Sequence, residues 1–280
     1  MTKRNLNRLW FIIVTIIILT LSFNGPGFVM TPFKGTSMIE TSGKVDLPLV
    51  NLVLLLIDLG LAKYIWRINF GLSVVKLKTY SKRINTLLWV VPTIIMILAS
   101  VFYPNHLMAF FKVTLPSQVL VGLFGTLIAA IITGYFEEVV FRGGIFGFLN
   151  SLIHSERSIL YSSLIAGLFF GVIHLSNLAG GASLAYTLAQ MFYAAAYGFF
   201  AGMIYVKTQS LLLPVISHAL ADWFDFFFNI SVLGRIDKPF ILSLVSIILT
   251  IVFIVCGYLI YKTIDEKDKT EFDAKYHTFN

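Results

Sequence analysis

The segment Gly134-Tyr135-Phe136-Glu137-Glu138-Val139-Val140-Phe141-Arg142-Gly143-Gly144 sets two adjacent carboxylates and an arginine into an apolar run that starts near Ser117. An acid or an arginine at the middle of a membrane helix costs roughly 2.5 to 3.5 kcal/mol, so such residues face the interior of a bundle and mark function. Glu138 and Arg142 are four apart, lie on one face of a helix and can pair. Glu137 is turned about 100° away from Glu138 and is left to hold a water. The pair therefore reads as structural and Glu137 as chemical. The competing reading is a Glu–Arg cluster that only marks the interfacial end of a span.

A second element is Phe170-Gly171-Val172-Ile173-His174. His174 follows Gly171 by three residues and Gly167 by seven, so it shares a small-residue face suited to helix packing. The polar turn His154-Ser155-Glu156-Arg157-Ser158 separates this run from the one carrying Glu137. Glu137 stands 19 residues before Glu156 and His174 stands 18 after it. In an antiparallel hairpin, at 1.5 Å per residue, both lie roughly 27 Å from the turn. That match of depth requires the first helix to continue through Gly143-Gly144 to about Ser151.

The third element, His218-Ala219-Leu220-Ala221-Asp222, again places two ionisable groups four apart in an apolar helix, with Pro214 before it and Asp225 after it. One acid, two histidines and a second acid on three helices admit two chemistries. Glu137, His174 and His218 could bind a divalent metal such as zinc and leave a position open for water. Alternatively no metal is used, and Glu137 acts as general base on water, His174 positions that water, and His218 with Asp222 faces the oxyanion of a cleaved amide. Other hydrolytic devices are missing. The sequence has no His-Glu-x-x-His, no Gly-x-Ser-x-Gly and no facing pair of aspartates. Asp58, a lone acid in an earlier run, reads as a packing or proton-path residue.

These groups have to be positioned by membrane helices. Only 12% of the residues are charged, against about a quarter in soluble domains. Long apolar runs without alternation make an all-α, polytopic membrane bundle of about eight transmembrane helices. The spans fall at about 9–23, 47–66, 85–103, 117–137 or longer, 159–176, 184–205, 210–230 and 239–261. Residues 1–261 then form one membrane-embedded domain with its catalytic core at about 117–230, and 262–280 form a polar cytoplasmic tail. The run after Lys3, Arg4 and Arg8 reads as an uncleaved first span. Cations at the N-terminus and at Lys63, Arg67, Lys76, Lys78, Lys82 and Arg83 put both termini in the cytoplasm of a multi-pass cell-membrane protein. The net charge of +7 sits in short loops, which suits anionic lipid and not nucleic acid. The single cysteine, Cys256, reads as a packing residue. Small-residue stripes at Gly167/Gly171 and Ala194/Gly198/Gly202 predict close helix contacts.

Glu137-Glu138-x-x-x-Arg142, Phe170-x-x-x-His174 and His218-x-x-x-Asp222, in that order, resemble the three motifs of the CAAX protease and bacteriocin-processing family. That family includes type II CAAX prenyl endopeptidases and bacterial Abi-type membrane proteins. The resemblance implies an eight-helix intramembrane endopeptidase in which Glu137 is the base, His174 its partner on the water, and His218 with Asp222 the oxyanion side. Members are often described as metalloproteases, although a metal-free glutamate mechanism is also argued for them. Asp222 stands where the eukaryotic prenyl proteases carry Asn, which implies the bacterial branch and speaks against a prenylated substrate. The implied partners are a membrane-associated peptide or protein and the lipid bilayer, in bacteriocin immunity or peptide maturation. Two other classes compete. One is a non-catalytic scaffold regulating a sensor kinase or envelope enzyme. The other is a proton-coupled transporter, disfavoured by the lack of an internal repeat.

Overall fold

The computed structural model describes parts of residues 3–17 and residues 52–66, 83–101, 116–178, 182–231 and 239–276. Helix α1 is Leu6–Thr15 and α2 covers 52–66, ending in a π-helical turn at Ala62–Trp66. Helix α3 is Arg83–Val101. Helix α4 joins three segments without a break: α-helical Pro116–Glu138, π-helical Val139–Phe146 and α-helical Gly147–Leu152. Helix α5 is Ser158–Ile173, extended by a 3₁₀ turn at His174–Leu178. Then follow α6 (Leu184–Thr208), α7 (Leu212–Ser231), α8 (Pro239–Tyr261) and α9 (Glu266–Lys275).

Among the described residues, four helices are long and apolar enough to cross a membrane: Leu123–Leu152, Ser158–Leu178, Leu184–Thr208 and Leu244–Tyr261. Shorter apolar helices run over Leu6–Thr15, Thr86–Ser100 and Leu212–Phe224. The architecture is an all-α membrane bundle with helices at all eight expected spans. The loops around 24–46 and 67–82, whose charges informed the orientation, lie outside the described residues.

Helix α6 is the centre of the bundle and is buried along almost its whole second half. Helices α5 and α8 pack on it, and α4 packs on α7. The predicted small-residue stripes make the first of these contacts. A Cβ added at Gly198 would stand 2.7 Å from the Gly167 Cα, and one at Gly167 would stand 2.6 Å from the Ala195 carbonyl oxygen. The two backbones touch, which hydrocarbon side chains would prevent. On the other side of the bundle, a Cβ at Gly134 would meet the Ala219 backbone nitrogen at 3.2 Å and the His218 Cβ at 3.5 Å. Gly134 thus lets α7 approach α4 one turn before the two glutamates.

The residues after the last span include a short polar helix that docks on the bundle. Asp265 caps α9 by accepting from the Asp268 N–H, within a reciprocal capping box. Phe272 and Tyr276, four apart and so on one face, are buried to 0% and 1% exposure. Two apolar residues at helical spacing were enough to dock the segment, a pattern easily hidden among eleven polar neighbours. Lys207 Nζ donates to Asp268 at 2.6 Å, Asn150 donates to Asp273 at 2.6 Å, and Arg8 donates to the Ser151 carbonyl at 3.2 Å. Both ends of the described chain therefore meet at the end of the bundle that carries the α4–α5 turn.

Candidate active site

The continuity of α4 through Gly143-Gly144 is what the depth argument required. Glu138 ends the α-helical stretch, and the chain then widens into the π-helical segment that holds Arg142. π-Helical turns are rare and concentrate at functional sites. Here the widened segment is almost wholly buried, with Val139 to Gly144 inside the protein.

The two adjacent glutamates have separate environments. Glu138 is 0% exposed, and its Oε2 lies 3.1 Å from Arg142 Nε. Its Oε1 lies 2.8 Å from His218 Nδ1. A carboxylate only accepts, so Nδ1 carries the proton of that bond. Glu137 is 28% exposed, and its Oε2 is 3.6 Å from His218 Nε2. Asp222 Oδ2 is 3.5 Å from the same nitrogen. The His218 ring is thus ringed by three carboxylates from two helices, and it joins the buried pair to the two acids that reach water.

Arg142 is held by more than its ion pair. Its guanidinium carbon stands 4.2 Å from the Phe170 ring centre and 5.2 Å from that of Tyr197. A desolvated cation over aromatic faces gains about 2 kcal/mol, which offsets part of its burial. No hydrogen bond is formed by its two terminal nitrogens among the described residues. Phe170 has further edge contacts with His174 (5.1 Å), His218 (5.7 Å) and Phe141 (5.0 Å). It is the wall against which both histidines and the arginine are set.

His174 closes the α-helical part of α5. Its Nδ1 is 2.8 Å from the Phe170 carbonyl oxygen. A carbonyl can only accept, so Nδ1–H donates and the neutral ring keeps the Nε2 lone pair for another partner. His174 lies within electrostatic reach of Glu137 and His218. All four residues singled out for chemistry (Glu137, His174, His218 and Asp222) therefore gather on one face of α4, α5 and α7, beside the Glu138–Arg142 support. The Asp225 side chain lies outside the described residues.

The sequence reading missed three contributors. In the sequence Phe170 stands out only as a motif position. Tyr197, on α6 between the small residues Ala194 and Gly198, donates to the Pro214 carbonyl at 2.9 Å, with Glu138 Oε1 a distant 3.5 Å away. Ser217, next to His218, lies 3.2 Å from the Tyr197 hydroxyl and donates back to Leu213 at 2.9 Å. A tyrosine one residue from a close-contact glycine has to be buried, and a buried phenol needs a partner; that was the available signal.

Among the described residues, no three His, Cys, Asp or Glu side chains are arranged to hold a metal ion. Both nitrogens of His218 are directed at carboxylates, and Nδ1 of His174 is taken by a backbone carbonyl. As arranged, Glu137, His174 and His218 do not form a metal-binding set.

Residues 118–224 match the family described as type II CAAX prenyl endopeptidase Rce1-like. No curated protein and no solved structure gives a match. Over these residues, which hold all three motifs, the chain is similar to the CAAX protease family.

Proposed function

We propose that the protein is an intramembrane endopeptidase that hydrolyses a peptide bond of a membrane-associated peptide or protein, with Glu137 activating the water. One observation carries this reading. Of two adjacent carboxylates, Glu138 is fully buried and committed to Arg142 and His218, whereas Glu137 is 28% exposed beside the His218 ring. A base must reach both water and the groups that stabilise the product charge, and of these two adjacent carboxylates Glu137 is the one that does.

The steps balance on these residues alone. A water between Glu137 and His174 gives one proton to Glu137 and is oriented through its other proton by the Nε2 lone pair of His174. Its oxygen attacks the scissile carbonyl carbon. The resulting oxyanion is met by a proton on His218 Nε2, which Asp222 orients from 3.5 Å. Glu137 then returns its proton to the amine nitrogen as the C–N bond breaks. Asp222 acts through His218, since a carboxylate cannot itself donate to an oxyanion. We place the protein in a cell membrane with both termini, and so the α4–α5 turn, on the cytoplasmic side. Peptide maturation or bacteriocin immunity are the roles this chemistry suits.

The test is cleavage in liposomes. Wild type and Glu137→Gln are reconstituted with a membrane-protein extract, and newly formed N-termini are labelled and sequenced. New termini with wild type alone support the reading. The same termini with Glu137→Gln would remove Glu137 from its role. No new termini with either would favour a scaffold.

A further inference from the structure

The C-terminal helix touches the same segment of α4 that carries Arg142. Tyr276 donates its phenolic proton to the Gly143 carbonyl at 2.6 Å, one residue beyond Arg142. Its ring lies against Gly147, where any Cβ would collide with it. Phe272, one turn earlier on α9, packs against Phe146 with the two rings tilted and their centres 4.9 Å apart. The bond and the ring contact end on the π-helical stretch Val139–Phe146, and Gly147 adjoins it.

A π-helical stretch of eight residues is intrinsically poor and lasts only where its surroundings over-determine it. Inside, Arg142 is fixed by Glu138, Phe170 and Tyr197. Outside, the fixed points are Tyr276 and Phe272. We infer that Tyr276 is a positioning residue: by bonding the Gly143 carbonyl and filling the space over Gly147, it holds the widened turn that sets Arg142 on Glu138 and, through Glu138, the ring of His218. The tail helix is then a working part of the site and not an appendage, and releasing it loosens the site from the cytoplasmic end. Further polar contacts clamp α9 in place. Lys275 donates to the Gln209 carbonyl at 2.6 Å, and Gln209 donates to the Asp268 carbonyl at 2.9 Å. This inference rests on the endopeptidase reading only for its consequence in catalysis; the coupling itself is independent of it.

The experiment therefore reads the site without cleavage. Full-length wild type, Tyr276→Phe, Gly147→Ala and the exposed-face control Lys267→Gln are purified in detergent, with histidines labelled by ¹⁵N. Amide hydrogen exchange over 139–146 reports the turn, and the His218 ring-nitrogen shifts, assigned with His218→Gln, report the site. Loss of a buried hydrogen bond, with its carbonyl left unpaired, makes exchange about fivefold to a hundredfold faster in Tyr276→Phe. The His218 nitrogen shifts and their pH midpoint move in Tyr276→Phe and Gly147→Ala and stay at wild-type values in Lys267→Gln. Faster exchange with unchanged His218 signals would overturn the proposal and leave the tail with a role in stability alone. Unchanged exchange in both variants would overturn it as well. Should wild type cleave no peptide, the endopeptidase reading fails while these signals still decide the coupling.

Discussion

Glu137 and Glu138 are neighbours of identical chemistry, so exchanging each for glutamine is a direct test of the site's logic. Glu138→Gln keeps shape but removes the negative charge that Arg142 and His218 share. Arg142 is 2% exposed and its ion partner 0%. Removing one member of a buried pair, and so leaving the other charge uncompensated, costs about 3–5 kcal/mol. The contacts of Arg142 with the rings of Phe170 and Tyr197 are already present in the wild type, so they do not offset this loss. Glu137→Gln takes a charge from a side chain 28% exposed, whose ion contact to His218 is 3.6 Å long among the described residues. Its effect on stability stays within about 1 kcal/mol. Cys256 is the only cysteine and sits within α8, so a maleimide dye that fluoresces on thiol reaction reports thermal opening of the bundle. With roughly 2–4 °C per kcal/mol, Glu138→Gln melts about ten degrees below wild type and Glu137→Gln within a few degrees of it. Equal melting of the two variants, or the reverse order, would refute the assignment of Glu138 to structure and Glu137 to chemistry.

Two further outcomes follow from packing and capping. Gly198→Ala puts a methyl 2.7 Å from the Gly167 Cα, a backbone atom that cannot swing away, so the same dye assay should show a loss of about 1–3 kcal/mol; a variant as stable as wild type would mean that α5 and α6 do not touch there. At the other end of the molecule, the Asp268 N–H bonded to Asp265 holds that carboxyl below its ordinary value. The cap is therefore present above the ordinary aspartate range and lost as pH falls through the depressed value, so the Asp268 amide resonance should titrate with that midpoint in wild type and lose the transition in Asp265→Asn, which keeps the cap without the charge.

What the sequence made legible was whatever follows from spacing along one helix. The pairing of Glu138 with Arg142, and of His218 with Asp222, needed only an i,i+4 rule. The close approach of α5 and α6 needed only the glycine stripe. Bringing Glu137 to His174 needed one further assumption, an unbroken α4, and the structure supplies it. The π-helical turn was out of reach, because nothing in Val139–Phe146 distinguishes a widened turn from an ordinary one except two glycines that would as readily have suggested a break. Tyr197 was missed for a different reason. Its role depends on where α6 passes α4 and α7, which is a property of three helices at once. The docking of the polar tail was not legible, because it rests on two side chains of one face, Phe272 and Tyr276.

The arrangement also bears on why a scaffold reading is the weaker one. A bundle that needed only to hold its shape could keep Glu138–Arg142 and gain orientation from it, since a buried pair can serve conformational specificity. It has no use for Glu137. That residue adds a second negative charge beside Glu138, in apolar surroundings and facing a ring already bonded to its neighbour, and Asp222 adds a third. Crowding three carboxylates around one imidazole raises the energy of the folded state unless charge is to be moved there. Two of the three, Glu137 and Asp222, are also the two that solvent reaches, at 28% and 25% exposure. The groups least useful to the fold are thus the ones most available to a water and a peptide bond, which is the distribution expected of residues kept for proton transfer.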